Sequence, residues 1–477
     1  MDRSAGGRGG AFGMFGAAID PSVVPEWMNG GGTSQDAFAE VPTNGRMLDL
    51  VFLIDATGSM GSYINSATRN IESICDNIVQ SELLSGPGAL RLGLIAYRDH
   101  PPQDHVYITR NFGFTSDVQL MKENLNSLFA AGGGDGPEAS TAALKAACDL
   151  DWRADAAKMA ILVTDAPPHG IGEYGDGFPN GSPDGHDPLV LARSMSSRGI
   201  PLFVVACEPA LSGYQHAVDF YRGLVEITGG LLVPLTTASL LSHVVIAAAG
   251  EVMDMERLHK EVGDAVLDRM RSLSLSMGDE GQSTQLMDQV AQELHEKLLL
   301  RNESTKQLIV ENIYRESEES EHNIRIWSQA PDLFTARPHI RKVIGSRLSQ
   351  KFLESRRPNY SGVLRVDAAP KPKAPEVRQI ISDFRPFEAQ PGMRFQGTSD
   401  ANYTQLAGGY RHAEVQDMDD DDDAFVASDQ PIDNTPVDTE VRVTGDDGQL
   451  LAYRQDQISL AQARRLAMQS VSRAHSD

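Results

Sequence analysis

The clearest pattern along the chain is a set of short, nearly unbroken apolar runs separated by amphipathic stretches. The first, "LDLVFLID" from Leu48 to Asp55, shows no polar alternation, which predicts a strand buried on both faces, as in a parallel sheet. Four more follow: "LRLGLIAYRD" from Leu90, "KMAILVTDA" from Lys158, "IPLFVVACE" from Ile200 and "GGLLVPL" from Gly229. Between the first two, Ile64, Ala67, Ile71, Ile74 and Ile78 recur at alternating steps of three and four, placing them on one face of a helix. Ser116 with Gln119 predicts a capping box for a second helix, with Leu120, Leu125 and Leu128 along one side. Further helices are expected over about 138–148 and 187–197, the latter ended by Gly199. Strands alternating with helices imply a doubly wound, mostly parallel α/β sheet with ligands beyond the carboxyl ends of the strands.

A different texture begins near residue 250. Leu286, Val290, Leu294 and Leu298 repeat at steps of four, predicting an amphipathic helix packed on the α/β domain or in a small bundle. The heptad register does not persist, which argues against a dimeric coiled coil. From "PKPKAPEV" at Pro370 onward, Pro, Gly and Asp dominate. The expected organisation is a flexible Gly-rich arm over 1–45, an α/β domain over 46–250, a helical region over 251–368 and a mostly disordered acidic tail over 369–477 with an isolated helix at 458–472.

Charge sharpens this division. The 477 residues carry a formal net charge of −24, and 414–447 alone hold thirteen Asp and Glu against Arg442, so half the imbalance lies in one tail segment. Most of the surface would repel phosphates, which argues against nucleic acid as the main partner. The run 419–423 reads as a solvated acidic stretch; a tethered occupant of a cation site in the same chain is the alternative. No apolar stretch approaches the roughly 20 residues of a membrane span. The first residues lack the apolar core of a signal peptide, so a cytoplasmic location is expected. Cys75, Cys148 and Cys207 lie in apolar segments and are expected as buried reduced thiols.

Candidate chemistry gathers where the predicted strands end. In "IDATGSM", Asp55, Thr57 and Ser59 leave the first strand. Their carboxylate and hydroxyl oxygens, two residues apart, can face one concavity, and hard cations such as Mg²⁺ take such oxygens in octahedral geometry. A turn in which Thr57 or Ser59 caps the next helix is the competing account. The loop lacks the second Asp of a haloacid-dehalogenase phosphatase, which sets aside Asp55 as a phosphorylated nucleophile. Downstream, "GGGDGPE" carries Asp135 and Glu138, and Asp165 in "ILVTDAPPHG" ends another strand.

These segments resemble the metal-ion-dependent adhesion site of von Willebrand A domains, a Rossmann-like fold. Asp55, Thr57 and Ser59 match its D-x-S-x-S element with Thr57 in place of the first Ser. By the resemblance, Glu138 is a direct ligand and Asp135 an outer residue or a ligand of a second cation such as Ca²⁺, with the reverse order left open; Asp165 contacts the metal through water. The wording "DATGSM", "AYRDH", "GGGDGPE" and "TDAPPHG" is most similar to the A domains attached to atypical alpha-kinases, over about 47–248. No Gly-rich phosphate loop with a lysine and metal-binding carboxylates accompanies it, and "TARPHIRKVIGSR" reads as a solvated helix or loop. The resemblance implies Mg²⁺ or Mn²⁺ held by Thr57, Ser59 and Glu138, with Asp55 and Asp165 behind coordinated waters, and a protein partner presenting an acidic group. An alpha-kinase-related signalling protein and a purely structural domain are the alternatives. His100 and His105 are expected in a surface loop, Arg98 and Asp99 as a local ion pair or rim support, and His169 as fixing a turn.

Overall fold

Every residue of β1 (Leu48–Asp55) is buried, and its side chains divide by parity. Leu50, Phe52 and Ile54 enter one core; Val51 and Leu53 enter a second on the opposite face. The computed structural model describes residues 46–82, 84, 86–277, 283–355 and 440–474. With β2 (Leu90–Tyr97), β3 (Thr109–Thr115), β4 (Ala157–Thr164), β5 (Leu202–Cys207) and β6 (Leu232–Leu235), β1 builds a six-stranded sheet in the order β3-β2-β1-β4-β5-β6. All neighbours run parallel except β2 and β3. The edge strand β3 is not among the predicted elements: its sequence, TRNFGFT, is partly exposed and carries no apolar run.

Six helices follow these strands: α1 (Gly61–Ser81), α2 (Val118–Asn126), α3 (Ser140–Cys148), α4 (Pro188–Ser197), α5 (Ala217–Thr228) and α6 (Leu241–Met277). On α1 the buried positions include Ile64, Ala67, Ile71, Ile74 and Ile78, the predicted stripe. On α2 the cap is Asp117 and not Ser116: its carboxylate accepts the N–H groups of Gln119 and Leu120. Met121 and Leu125 are the buried face there, and Leu120 is exposed. Side chains of α1, α2 and α6 fill one core; those of α3, α4 and α5 fill the other. Each fully buried aliphatic or aromatic side chain contributes roughly 1.5–3 kcal/mol relative to exposure.

The boundary expected at residue 250 is corrected, because α6 runs through it as one helix. Val244, Val245 and Ala248 face the sheet, while Leu258, Val262 and Val266 join a third cluster with α7 (Ser283–Leu300), where Leu294 and Leu298 are fully buried. By length and composition Ala238–Leu273 holds an 18-residue stretch apolar enough to cross a membrane, yet 72% of that stretch is buried within the fold. The remaining elements are β7 (Ser304–Val310), α8 (Glu318–Gln329), α9 (Leu333–Ala336), α10 (Gln350–Ser355), β8 (Val441–Thr444), β9 (Leu450–Gln457) and α11 (Leu460–Ala474).

The end of the tail departs from expectation. β8 and β9 pair antiparallel, β9 pairs with β7, and Ala463, Leu466 and Ala467 of α11 join the third cluster. The foreseen helix is thus present but not isolated. Its partners come from residues 255–310, which local composition cannot reveal. The β8–β9 turn also docks on β6: Gln449 accepts the Thr236 N–H at 2.9 Å and donates to the Pro234 carbonyl at 2.7 Å. The basic segment after α8 is not wholly solvated either, since Arg347 is buried against Asp219. The arm 1–45, the tail over 369–439 and the acidic run 419–423 lie outside the described residues.

Candidate metal centre at the sheet rim

The chain leaves β1 for α1 on one face of the sheet and β4 for α4 on the other. The carboxyl ends of these two adjacent strands therefore open the crevice of the topological switch point. Asp55 is the last residue of β1 and Asp165 directly follows β4. Asp55 is wholly buried. Its Oδ1 accepts the Thr57 backbone N–H at 2.9 Å and the Thr57 hydroxyl at 2.6 Å, and the Thr164 hydroxyl donates to Oδ2 at 3.3 Å. Thr57 makes no side-chain capping bond to the short 3-10 turn Gly58–Met60, and α1 has no side-chain cap either. The capping account of this loop does not hold. Ser59 is exposed and hydrogen-bonds Asp165.

The Gly-rich loop is laced onto these strand ends by backbone hydrogen bonds. Gly58 donates to Gly132 O at 3.3 Å, Ala131 to Ala56 O at 3.1 Å, and Glu138 to Pro167 O at 2.9 Å. Gly133 has φ +86°, and a Cβ there would lie 2.8 Å from Glu138 Oε1 and 3.5 Å from Thr57 Cβ. Glycine lets this loop close over the pair. Glu138 is 4% exposed, and its Oε2 has no hydrogen-bond partner among the described residues.

Burial pushes the Glu138 carboxyl up to about 10, with Asp55, Asp99, Asp135 and Asp165 adding to the shift. Burial also raises Asp55, to about 7, opposed by the Thr57 hydrogen bond and reinforced by Asp165. Asp165 is raised by burial against the Ser59 hydrogen bond. No basic side chain figures among these causes. Acid and hydroxyl oxygens from three segments thus meet at the rim, and one of them, Glu138 Oε2, is buried with no donor among the described residues. That donor set fits a hard divalent cation.

Asp135 belongs to a neighbouring group. Ligand-type atoms of Asp99, Asp135 and His169 lie within 4.8 Å of one another. Asp99 is not the local partner of Arg98, which pairs with Asp104 at 3.6 Å and donates to Phe129 O at 2.8 Å. His169 does more than fix a turn: Nε2 lies 2.7 Å from Asp99 Oδ1 and Nδ1 2.7 Å from Asp176 Oδ1. Burial pulls His169 down, but Asp176 and Asp99 outweigh it and push the imidazole up to about 9. His100 is buried, with Nε2 3.1 Å from Ser182 Oγ, contrary to a surface loop; His105 is exposed as expected. The sequence did carry a signal for Asp99, which stands two residues beyond β2 at the rim that Asp55 and Asp165 occupy.

The von Willebrand factor type A domain is the family whose sequence pattern matches this chain, at residues 49–228. Residues 49–228 form a von Willebrand factor type A (VWA) domain. Alpha-protein kinase vwkA of Dictyostelium discoideum is 30% identical over 142 residues, covering 29% of this chain and 22% of that protein. An ariadne-like RING finger protein of Acanthamoeba polyphaga mimivirus is 28% identical over 194 residues, covering 39% and 18%. The chain therefore spans about a fifth of the length of these relatives. Among solved structures, a von Willebrand factor type A protein from Catenulispora acidiphila is similar at a TM-score of 0.30 and 18% identity, over 44% of this chain and 43% of that one.

Proposed function

We propose that this VWA domain is a metal-dependent protein-interaction module acting in the cytoplasm. Thr57, Ser59 and Glu138 would hold Mg²⁺ or Mn²⁺ directly, with Asp55 and Asp165 orienting coordinated waters. When bound, the cation supplies an open coordination position that accepts a carboxylate of a protein partner. The observation that carries this reading is the donorless, buried Glu138 Oε2 facing acids and hydroxyls with no basic side chain among the groups that shift them. Asp55 orients the Thr57 hydroxyl, and Gly133 gives Glu138 room to reach the same concavity. The alpha-kinase alternative rests on likeness of the A domain alone, and that likeness covers 29% of this chain.

Thermal melting of the full chain tests the metal, because an ion bound by the folded state alone raises stability by mass action. Mg²⁺ or Mn²⁺ is expected to raise the melting temperature of wild type and to leave Ser59→Ala and Asp55→Ala nearly unmoved. Indifference of the wild type to saturating Mg²⁺, Mn²⁺ and Ca²⁺ overturns the reading. The partner is tested by capture from native cytosol with and without chelator, where loss of capture in chelator is expected.

A further inference from the structure

Asp99, Asp135 and His169 are each oriented by an outer hydrogen bond and each turn another polar atom toward one buried space. Asp176 accepts Gly170 N–H at 2.7 Å on Oδ2 and Phe178 N–H at 2.8 Å on Oδ1, and that same Oδ1 meets His169 Nδ1. An acceptor so anchored requires Nδ1 to carry its proton, which aims Nε2 at Asp99. Phe178 packs edge-on against the His169 ring, with centroids 4.8 Å apart, and holds its plane. Asp99 accepts His100 N–H on Oδ1 at 2.6 Å, while its Oδ2, in a wholly buried side chain, has no hydrogen-bond partner among the described residues. Asp135 accepts Gly177 N–H on Oδ2 at 2.5 Å, its Oδ1 is likewise buried and unpartnered, and the carboxylate abuts that of Asp99.

We infer that Asp99, Asp135 and His169 form a second cation site, separate from the rim site and suited to a borderline divalent metal such as Zn²⁺. Two facing carboxylates without a donor between them are what a cation relieves, and the unpartnered Asp99 oxygen points to it independently of the acidic character of the cluster. One imidazole with two carboxylates selects the zinc and manganese class, whereas Mg²⁺ and Ca²⁺ prefer oxygen alone. The Asp176–His169 pair is the outer carboxylate–histidine arrangement that orients metal-binding imidazoles. Coordination moves the Nε2 lone pair from its proton to the metal, the proton passes to the buffer, and no oxidation state changes.

Calorimetric titration of the chelator-stripped full chain with Zn²⁺ alone, and separately with Mg²⁺ alone, tests the site. His169→Gln and Asp135→Asn are each expected to weaken zinc binding by at least tenfold, and His169→Gln to leave Mg²⁺ binding within about twofold. Asp55→Ala is expected to lose Mg²⁺ binding and keep this zinc site. Should His169→Gln fail to fold, Asp135→Asn carries the test, because Asp135 is partly exposed and an amide oxygen can still take the Gly177 N–H. Unchanged zinc affinity in a folded variant, or loss of all zinc binding in Asp55→Ala, overturns the inference. A wild type that binds zinc but ignores Mg²⁺ would sink the rim reading and leave this one standing.

Discussion

Glu138→Gln separates the charge of the rim from its shape. The folded chain holds this carboxyl at about 10 against an ordinary value of 4.5. A raised carboxyl contributes stability that is fully present below 4.5 and is lost as pH climbs toward 10. At pH 7.5 the folded state keeps a proton that the unfolded state has released across about three units, a cost on the order of 4 kcal/mol at about 1.4 kcal/mol per unit. Asp55, Asp99, Asp135 and Asp165 contribute to that shift, so an uncharged amide in place of Glu138 should recover about 2–4 kcal/mol. In chelator at pH 7.5, Glu138→Gln should therefore melt above wild type, by about 2–4 °C for each kcal/mol. The gap should narrow to under about 1 kcal/mol at pH 5 and close below pH 4.5, where the unfolded wild type keeps its proton as well. In saturating Mg²⁺ the order should reverse, because wild type gains binding free energy and the variant lacks a charged ligand. A variant that melts below wild type in chelator at pH 7.5, or that gains as much from Mg²⁺, would refute the reasoning.

Two predictions address the scaffold. Trp327 of α8 is fully buried, with its ring edge-on to Phe220 of α5 at 5.3 Å; Trp327→Ala should cost about 3–5 kcal/mol in denaturant unfolding, and a loss under about 1 kcal/mol would show that α8 does not share the VWA core. Deleting 440–477 removes β8, β9 and α11 and uncovers Leu294 and Leu298; the truncated chain should bind a hydrophobic dye and lose cooperative unfolding of α6 and α7, whereas an unchanged unfolding curve would mean that these elements are not part of the folded unit.

The central strands were legible because burial on both faces leaves an unbroken apolar run, as in β1 and β4. The edge strand β3 was not, since one neighbour and partial exposure leave room for Arg110 and Asn111. Helix α5 buries Val218, Phe220, Tyr221 and Leu224, yet His216 at its N-cap makes no side-chain cap bond, so no start signal precedes it. The rim acids stood out because strand ends place them together: Asp55 and Asp165 by direct succession, Glu138 through the glycines that precede it. Asp99 was hidden by its neighbour. Arg98 offers a nearby opposite charge, and the true partner, His169, lies 70 residues away across β4. The folded end of the tail was masked for a related reason, since its apolar positions are sparse and find partners only in α6, α7 and β7.

Stability and affinity at this rim are two readings of one quantity. The buried carboxylates Asp55, Glu138 and Asp165 are all held above their ordinary range, so the folded chain carries an electrostatic load that the unfolded chain does not. A divalent cation bound at the rim removes that load, and what it removes reappears as binding free energy. In the proposed reading, the acids that weaken the domain in chelator would be the source of its metal affinity. His169 meets Asp99 and Asp176 in the neighbouring group, while Glu138 faces Thr57 at the rim. On the same reading the ion has to displace the proton that Glu138 holds near neutral pH, so metal uptake should release a proton and strengthen as pH rises.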